Sequence, residues 1–391
     1  MLKVLLFVPH HIDAVAINHD LVCGLAKSCP EGVDVRLFVS GERHQTLQLE
    51  EFDLIHFFGS WSHAASILAL KAYSRGIPYI VTPLGGVQPW EISKHKHTIL
   101  LRRQRHLVEH AAAIHICGKL EHDNFVSLGW NKRIAIVKNP VLTSQITFGE
   151  ASNQIGRLYR KVIDSNCQLS LKPEIQNIIG FLLQIGTDPY ATSLNPAFQD
   201  GAKEKFVNKL TQLSTEDWRR LLIYSDQEHI TDNVLHAFDA LEIKCPTLDI
   251  SKVDRFEPKS KYSEGKLNTD SLLSKNILLK NKVKEVFDNN GNGECKQCLA
   301  LLNLHYELNH HSLPLSHFID LYSLTRFHDV DEDLVRDMVA RLKINDFAER
   351  LTYAMSTFFG LPDGFWIFKP KKGKRTRKII KEMTKFGLYN Y

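Results

Sequence analysis

The stretch 52–90, FDLIHFFGSWSHAASILALKAYSRGIPYIVTPLGGVQPW, decides the fold class of this chain. LIHFFG (54–59) is a short apolar run without polar alternation, the pattern of a strand buried on both faces. A polar loop leads into a helix over 63–75, and Gly76 follows it as glycine often follows a helix C-terminus. PYIVTP (78–83) reads as the next strand and runs into a glycine pair, Gly85 and Gly86. Two such strands joined by a helix pair in parallel through a right-handed crossover. Sheets of this kind hold ligands at the C-terminal ends of their strands. Here those ends carry Gly59, Ser60 and Trp61 after one strand, and Leu84, Gly85 and Gly86 after the other.

The alternation continues on both sides. KVLLFV (3–8) and VDVRLFVS (33–40) read as strands, with a helix over 17–26 between them. The N-terminal run MLKVLLFVPHH is short and meets His10 and His11 at once, so it reads as a buried first strand rather than a signal peptide. Downstream come a basic helix over 94–112, a strand AIHICG (113–118), a helix over 119–128 and a strand within RIAIVKNP (133–140). A first domain is therefore expected over 1–142.

Past Thr143 the texture becomes helical. Helices are expected over 155–165, 172–185, 203–213 and 215–222. One strand-helix-strand unit is expected from LLIYSD (221–226), a helix over 231–241 and CPTLDI (245–250). This makes 143–253 a mixed, mostly helical domain. Residues 254–273 read as a polar loop or linker, 274–364 as a helical domain, and 365–391 as an aromatic-basic tail.

Bulk composition narrows the class. The chain has 391 residues, enough for two or three domains, and no apolar run reaches the roughly 18–20 residues that a membrane-spanning helix needs. Seven cysteines without a framework suit reduced thiols and a cytoplasmic setting. The net charge of +5 comes from the tail, where Lys and Arg cluster, so a generally basic, nucleic-acid-binding surface is not expected.

DLIHFFGSW (53–61), RGIPYIVTPLGGVQPW (75–90) and LVEHAAAIHICGKLEHDNFVSLGWNKRIAIVKNPV (107–141) together resemble the acceptor-side domain of family-4 retaining glycosyltransferases. The resemblance covers about the first 142 residues. It implies an α/β, Rossmann-like parallel sheet of the GT-B N-terminal type, followed here by a mostly helical C-terminal half. It also implies transfer of a sugar from a nucleotide-activated donor to a polysaccharide or lipid-linked glycan precursor, as in capsule or exopolysaccharide synthesis. No cofactor or metal is implied, since the nucleotide sugar is a substrate.

Substrate contacts are then expected at Gly59, Ser60, Trp61, Leu84, Gly85, Gly86, Trp90 and Lys94. Glycines at strand ends let backbone N–H groups approach a ligand. Trp61 and Trp90 suit stacking on a sugar or lipid carrier, and Lys94 suits phosphate. The competing reading of each is structural: tight turns for the glycines and packing for the tryptophans.

The sequence departs from the family pattern in three places. Leu84 stands where members carry His or Arg, and Leu cannot move a proton, so the catalytic residue is unassigned. The loop PHHIDAVAIN (9–18) lacks the family's glycines and offers His10, His11 and Asp13 instead. A donor-binding second domain is not evident; Glu228 is its one candidate. The alternative function is a non-catalytic glycosyltransferase-like binding or scaffold protein of a polysaccharide assembly system.

Other constellations read as structural. Cys295, Cys298, His305, His310 and His311 have a zinc-like look, but the first three fall on one helix and leave little freedom to close a tetrahedron. Asp288, Asn290, Asn292 and Gly293 start like a calcium loop that ends on Leu299 where a carboxylate is required. The helical segment 301–362 loosely resembles nucleotidyltransferase-like proteins in shape, without their acidic catalytic element; its His305, His311 and Asp320 read as hydrogen-bonded packing residues. The tail FWIFKPKKGKRTRKIIKEMTKF (365–386) suits peripheral contact with an anionic membrane, or simply a solvated basic end.

Overall fold

The computed structural model describes residues 1–41, 47–169, 171–190, 202–258, 262–288, 291–310 and 312–386. His311 and Asn290 lie outside them. The chain forms two compact units, one of residues 1–170 with 252–257 and one of residues 171–251 with 258–391.

The first unit is built on β1 (Leu2–Pro9), α1 (His10–Asp13), α2 (Ala16–Lys27), β2 (Val33–Ser40), β3 (Leu54–Phe58), α3 (His63–Ser74), β4 (Tyr79–Thr82), α4 (Pro89–Lys94), α5 (Ile99–His110), β5 (Ala113–Ile116), α6 (Lys119–Leu128), β6 (Ile134–Ile136) and α7 (Phe148–Asp164). The strands form one sheet in the order β2-β1-β3-β4-β5-β6, and every pair is parallel. The expected Rossmann-like sheet is thus present. Along β1, side chains alternate between faces. Val4, Leu6 and Val8 join one core with Leu21, Val22 and Leu25 of α2 and with Ile155, Leu158 and Val162 of α7. Leu5 and Phe7 join the other, with Ala65 and Ala69 of α3, Leu107 of α5 and Phe125 of α6. Both faces are covered, which is why the strands read as unbroken apolar runs.

Two boundaries differ from expectation. The basic helix expected over 94–112 begins only at Ile99, where the Thr98 side chain caps α5, and Lys94 instead ends the separate helix α4. The first unit also runs on past residue 142. Thr147 and Glu150 form a capping box that starts α7 earlier than expected, and α7 carries Ile155, Leu158 and Tyr159 into the sheet's core.

The second unit is helical: α8 (Pro173–Thr187), α9 (Ala202–Thr211), α10 (Thr215–Gln227), α11 (Thr231–Ala240), α12 (Ile277–Phe287), α13 (Asn292–His310), α14 (Leu315–Phe327), α15 (Glu332–Arg341), α16 (Asn345–Phe359) and α17 (Lys374–Thr384). The expected strand at 221–226 lies inside α10. Ser214 caps that helix, and Leu221, Ile223, Tyr224 and Ser225 are all buried. A short, fully buried apolar run carries no periodicity that separates helix from strand. The expected strand at 245–250 is irregular and has no buried residue, with Pro246 as its second residue. Cys295, Cys298 and His305 lie together on α13.

The described part of the aromatic-basic tail, 365–386, is folded. Thr376, Ile379, Ile380 and Met383 of α17 are buried, and α17 packs against α16. Among the described residues, none of the seven cysteines forms a disulfide. Among the described residues, no helix is long and apolar enough to cross a membrane.

Candidate functional site

Strand order reverses direction at β1: β2 lies on one side, and β3 to β6 follow on the other. The crevice at such a switch point, past the C-terminal strand ends, is where open α/β sheets bind ligands. The loops after β1, β3 and β4 meet there. Phe58 pairs with Thr82 at the ends of β3 and β4, and the Gly59 amide donates to the Thr82 carbonyl at 2.8 Å.

Both chains then pass through left-handed backbone. Gly59 has φ +86° and Trp61 +62°, while Leu84 has φ +52° and Gly85 +79°. A bulky side chain there costs on the order of 1–2 kcal/mol, and such strain clusters at functional sites when the surroundings hold it. The surroundings here are specific. The Trp61 amide donates to Gln104 Oε1 at 2.8 Å, its indole Nε1 donates to the Gly86 carbonyl at 2.7 Å, and its ring lies 4.2 Å from that of His95. Ser60 Oγ donates to the Pro83 carbonyl at 3.2 Å. A Cβ on Gly86 would stand 2.5 Å from Ser60 Cβ, and one on Gly59 would stand 2.4 Å from Ile12. The loops interlock, and glycine is required where they touch. The first-strand loop joins them: His11 Nε2 lies 3.4 Å from the Ser60 carbonyl.

Glu121, in the first turn of α6, was not anticipated from the sequence. Its Oε1 accepts from the Gly85 amide at 2.6 Å and its Oε2 from the Cys117 amide at 3.2 Å. Burial pushes this carboxyl above its ordinary value, and the two amides oppose that shift. The available signal was an acidic residue just after a strand end, at the N-terminus of a helix. Nearby, Asn124 Nδ2 donates to Gln88 Oε1 and ties α6 to the same loop.

Gly59, Ser60, Trp61, Leu84, Gly85 and Gly86 therefore come together where the loops after β3 and β4 meet. Trp90 and Lys94 lie on α4. Trp90 is 53% exposed. Lys94 Nζ is 2.7 Å from Glu91 Oε1. The Leu84 side chain is half-buried against the apolar core of β1 and α2. Asp13 pairs with His19 at 3.0 Å.

Glu228 is elsewhere, in the second unit, and is fully buried. Tyr262 OH donates to its Oε1 at 2.8 Å. The Leu315 amide and Lys385 Nζ donate to Oε2 at 3.1 and 2.8 Å. These interior partners occupy the carboxylate, so the expected donor-binding role gives way to a structural one.

Beneath the loops runs a buried polar chain. His115 Nε2 is 3.1 Å from the Val137 carbonyl, which can only accept, so that nitrogen carries the proton. Thr82 then donates to His115 Nδ1 at 2.7 Å and accepts from His56 Nε2 at 2.6 Å, and Tyr159 OH donates to His56 Nδ1 at 2.8 Å. Every proton has one place. Burial lowers His115 to about 4 and holds His56 well below its usual value, the neighbouring His115 adding to the second shift. Both rings are neutral at pH 7, so the site rests on an uncharged floor.

Residues 22–140 match a family model described as a glycosyl transferase 4-like domain. This segment is a glycosyltransferase 4-like domain. It holds β2 to β6, the interlocked loops after β3 and β4, and Glu121. The domain ties the protein to glycosyl transfer in general. The matched residues are less than a third of the chain, and the second unit lies outside them. No curated protein and no solved structure matches the chain.

Proposed function

We propose that the protein transfers a sugar from a nucleotide-activated donor to a polysaccharide or lipid-linked glycan precursor of the capsule or exopolysaccharide kind. The anomeric configuration is retained, and neither a metal ion nor another cofactor takes part. The carrying observation is the interlocked pair of strained loops at the switch point, inside the glycosyltransferase 4-like segment. In this reading the acceptor lies over Gly59–Trp61 and Leu84–Gly86. The exposed Trp90 stacks on a sugar or the carrier's first unit, and Glu121 holds the Gly85 loop in its binding shape. The protein works on the cytoplasmic side, peripheral to the inner face of the membrane.

A thermal-shift screen of nucleotide sugars, followed by transfer to a lipid-linked acceptor, tests this. The expected result is a donor-specific shift, with product formation that Gly85→Val reduces at least tenfold and that chelation leaves unchanged. No response to any donor from protein shown to be folded would sink the proposal. One observation favours the second reading, a binding or scaffold protein without turnover: Leu84 packs into the core where a polar side chain would face the substrate. Acceptor binding without transfer, for every responding donor, identifies that case.

A further inference from the structure

The second unit carries a charged face that the sugar-transfer reading does not use. On α17, Lys374, Arg377, Lys378 and Lys381 recur at i, i+3, i+4 and i+7 and therefore share one side of the helix. The opposite side is buried through Thr376, Ile379, Ile380 and Met383. The helix is amphipathic, but its apolar side is already spent on the unit's own core. What faces outward is a cationic stripe.

Lys371 and Arg375 pair with Asp346 at 2.7 and 3.5 Å, and Lys385 pairs with Glu228. None of the four stripe residues has an ion-pair partner among the described residues, and neither does Lys369 or Lys372 just before the helix. Such a concentration of unpaired charge is held against self-repulsion by the packing beneath it, and a polyanion on it would relieve that repulsion.

The kind of polyanion follows from what adjoins the stripe. The segment leading into α17 borders an open cleft of about 750 Å³ lined by Tyr353, Trp366, Ile367 and Phe368, with Arg336, Lys369 and Lys372 among its other residues. Trp366 is 37% exposed there, with its indole N–H anchored to the Leu361 carbonyl at 3.1 Å. An indole beside apolar walls and lysines suits the headgroup layer of a bilayer, where one end of a ligand is charged and the other is not. A phosphate backbone offers the charge without the apolar part.

We propose that the outward stripe of α17, with the Trp366 cleft beside it, docks the second unit on an anionic phospholipid surface. This deepens the reading of the acceptor as lipid-linked and rests on it only for its purpose. The contact itself is tested separately.

The test is co-sedimentation of the full chain with phosphatidylcholine vesicles, with and without phosphatidylglycerol. Binding is expected only with phosphatidylglycerol, and it should weaken as salt rises. The variant K374E/R377E/K378E/K381E should lose at least about tenfold in binding, as should the milder K374Q/R377Q/K378Q/K381Q should the first not fold. Quenching of tryptophan fluorescence by brominated lipid should fall in Trp366→Phe. Equal binding to neutral vesicles, full binding by a folded stripe variant, or preference for a single-stranded RNA over the vesicles overturns the proposal. Transfer to a detergent-dispersed acceptor should be unchanged in the stripe variants. A failure of vesicle binding therefore leaves the sugar-transfer reading standing, and the converse also holds.

Discussion

Glu121 shows how one side chain sets the shape of a loop. Its two oxygens take the amides of Gly85 and Cys117, from the loops after β4 and β5. In Glu121→Gln one of those amides would face an NH2 group. The variant should lose about 1–3 kcal/mol in urea unfolding and weaken acceptor binding more than donor binding. An unchanged midpoint would show that the carboxylate does not hold the loop. Thr82 plays a comparable part below, as the one group joining His56 to His115. Thr82→Val keeps the shape but leaves a buried ring N–H without an acceptor and a ring nitrogen without a donor. It should cost about 2–4 kcal/mol by the same measurement. Neither residue announced its role in the sequence. Their partners are 36, 26 and 33 positions away and become neighbours only across strands.

At the scale of elements, the sheet's buried histidines predict an acid limit. His115 is lowered in the folded state to about 4, against a usual value near 6.5. Between those values the unfolded chain binds more protons than the folded one, so stability rises with pH across that window. It is complete above about 6.5 and is lost as pH falls toward 4. Urea midpoints should drop through this interval, and the drop should shrink in His115→Gln. A flat profile from pH 7 to 4.5 would contradict the neutral floor beneath the site. The switch-point loops were legible element by element. Strand ends, glycines and Trp61 could be read from 52–90 because a strand, its turn and the next helix are local patterns. Their interlocking was not legible, since the contact between Trp61 Nε1 and the Gly86 carbonyl depends on β3 and β4 lying side by side.

At the scale of the whole molecule, the C-terminal segment belongs to a core. Tyr224 OH donates to the Thr384 carbonyl at 2.7 Å, and Lys385 Nζ reaches Glu228 and the Leu313 carbonyl at 2.8 and 2.6 Å. Removing one member of a buried, hydrogen-bonded pair costs about 3–5 kcal/mol. Lys385→Ala should therefore destabilise the second unit by that order, and truncation after Gly364 should leave it open to proteolysis while the first unit still melts cooperatively. A truncated chain with an unchanged second transition would restore the picture of a dispensable tail. The sequence by itself determined the parallel sheet, its helices and the loops that carry the candidate site, because period, turn residues and strand-end chemistry are encoded within a few neighbouring residues. Only the tertiary structure decided that LLIYSD is helical, that Glu228 is buried among interior partners, that Glu121 braces the site and that the basic tail is a packed helix with one free face. In each case the deciding energy is burial or a hydrogen bond between distant segments, and no local pattern records which segments will meet.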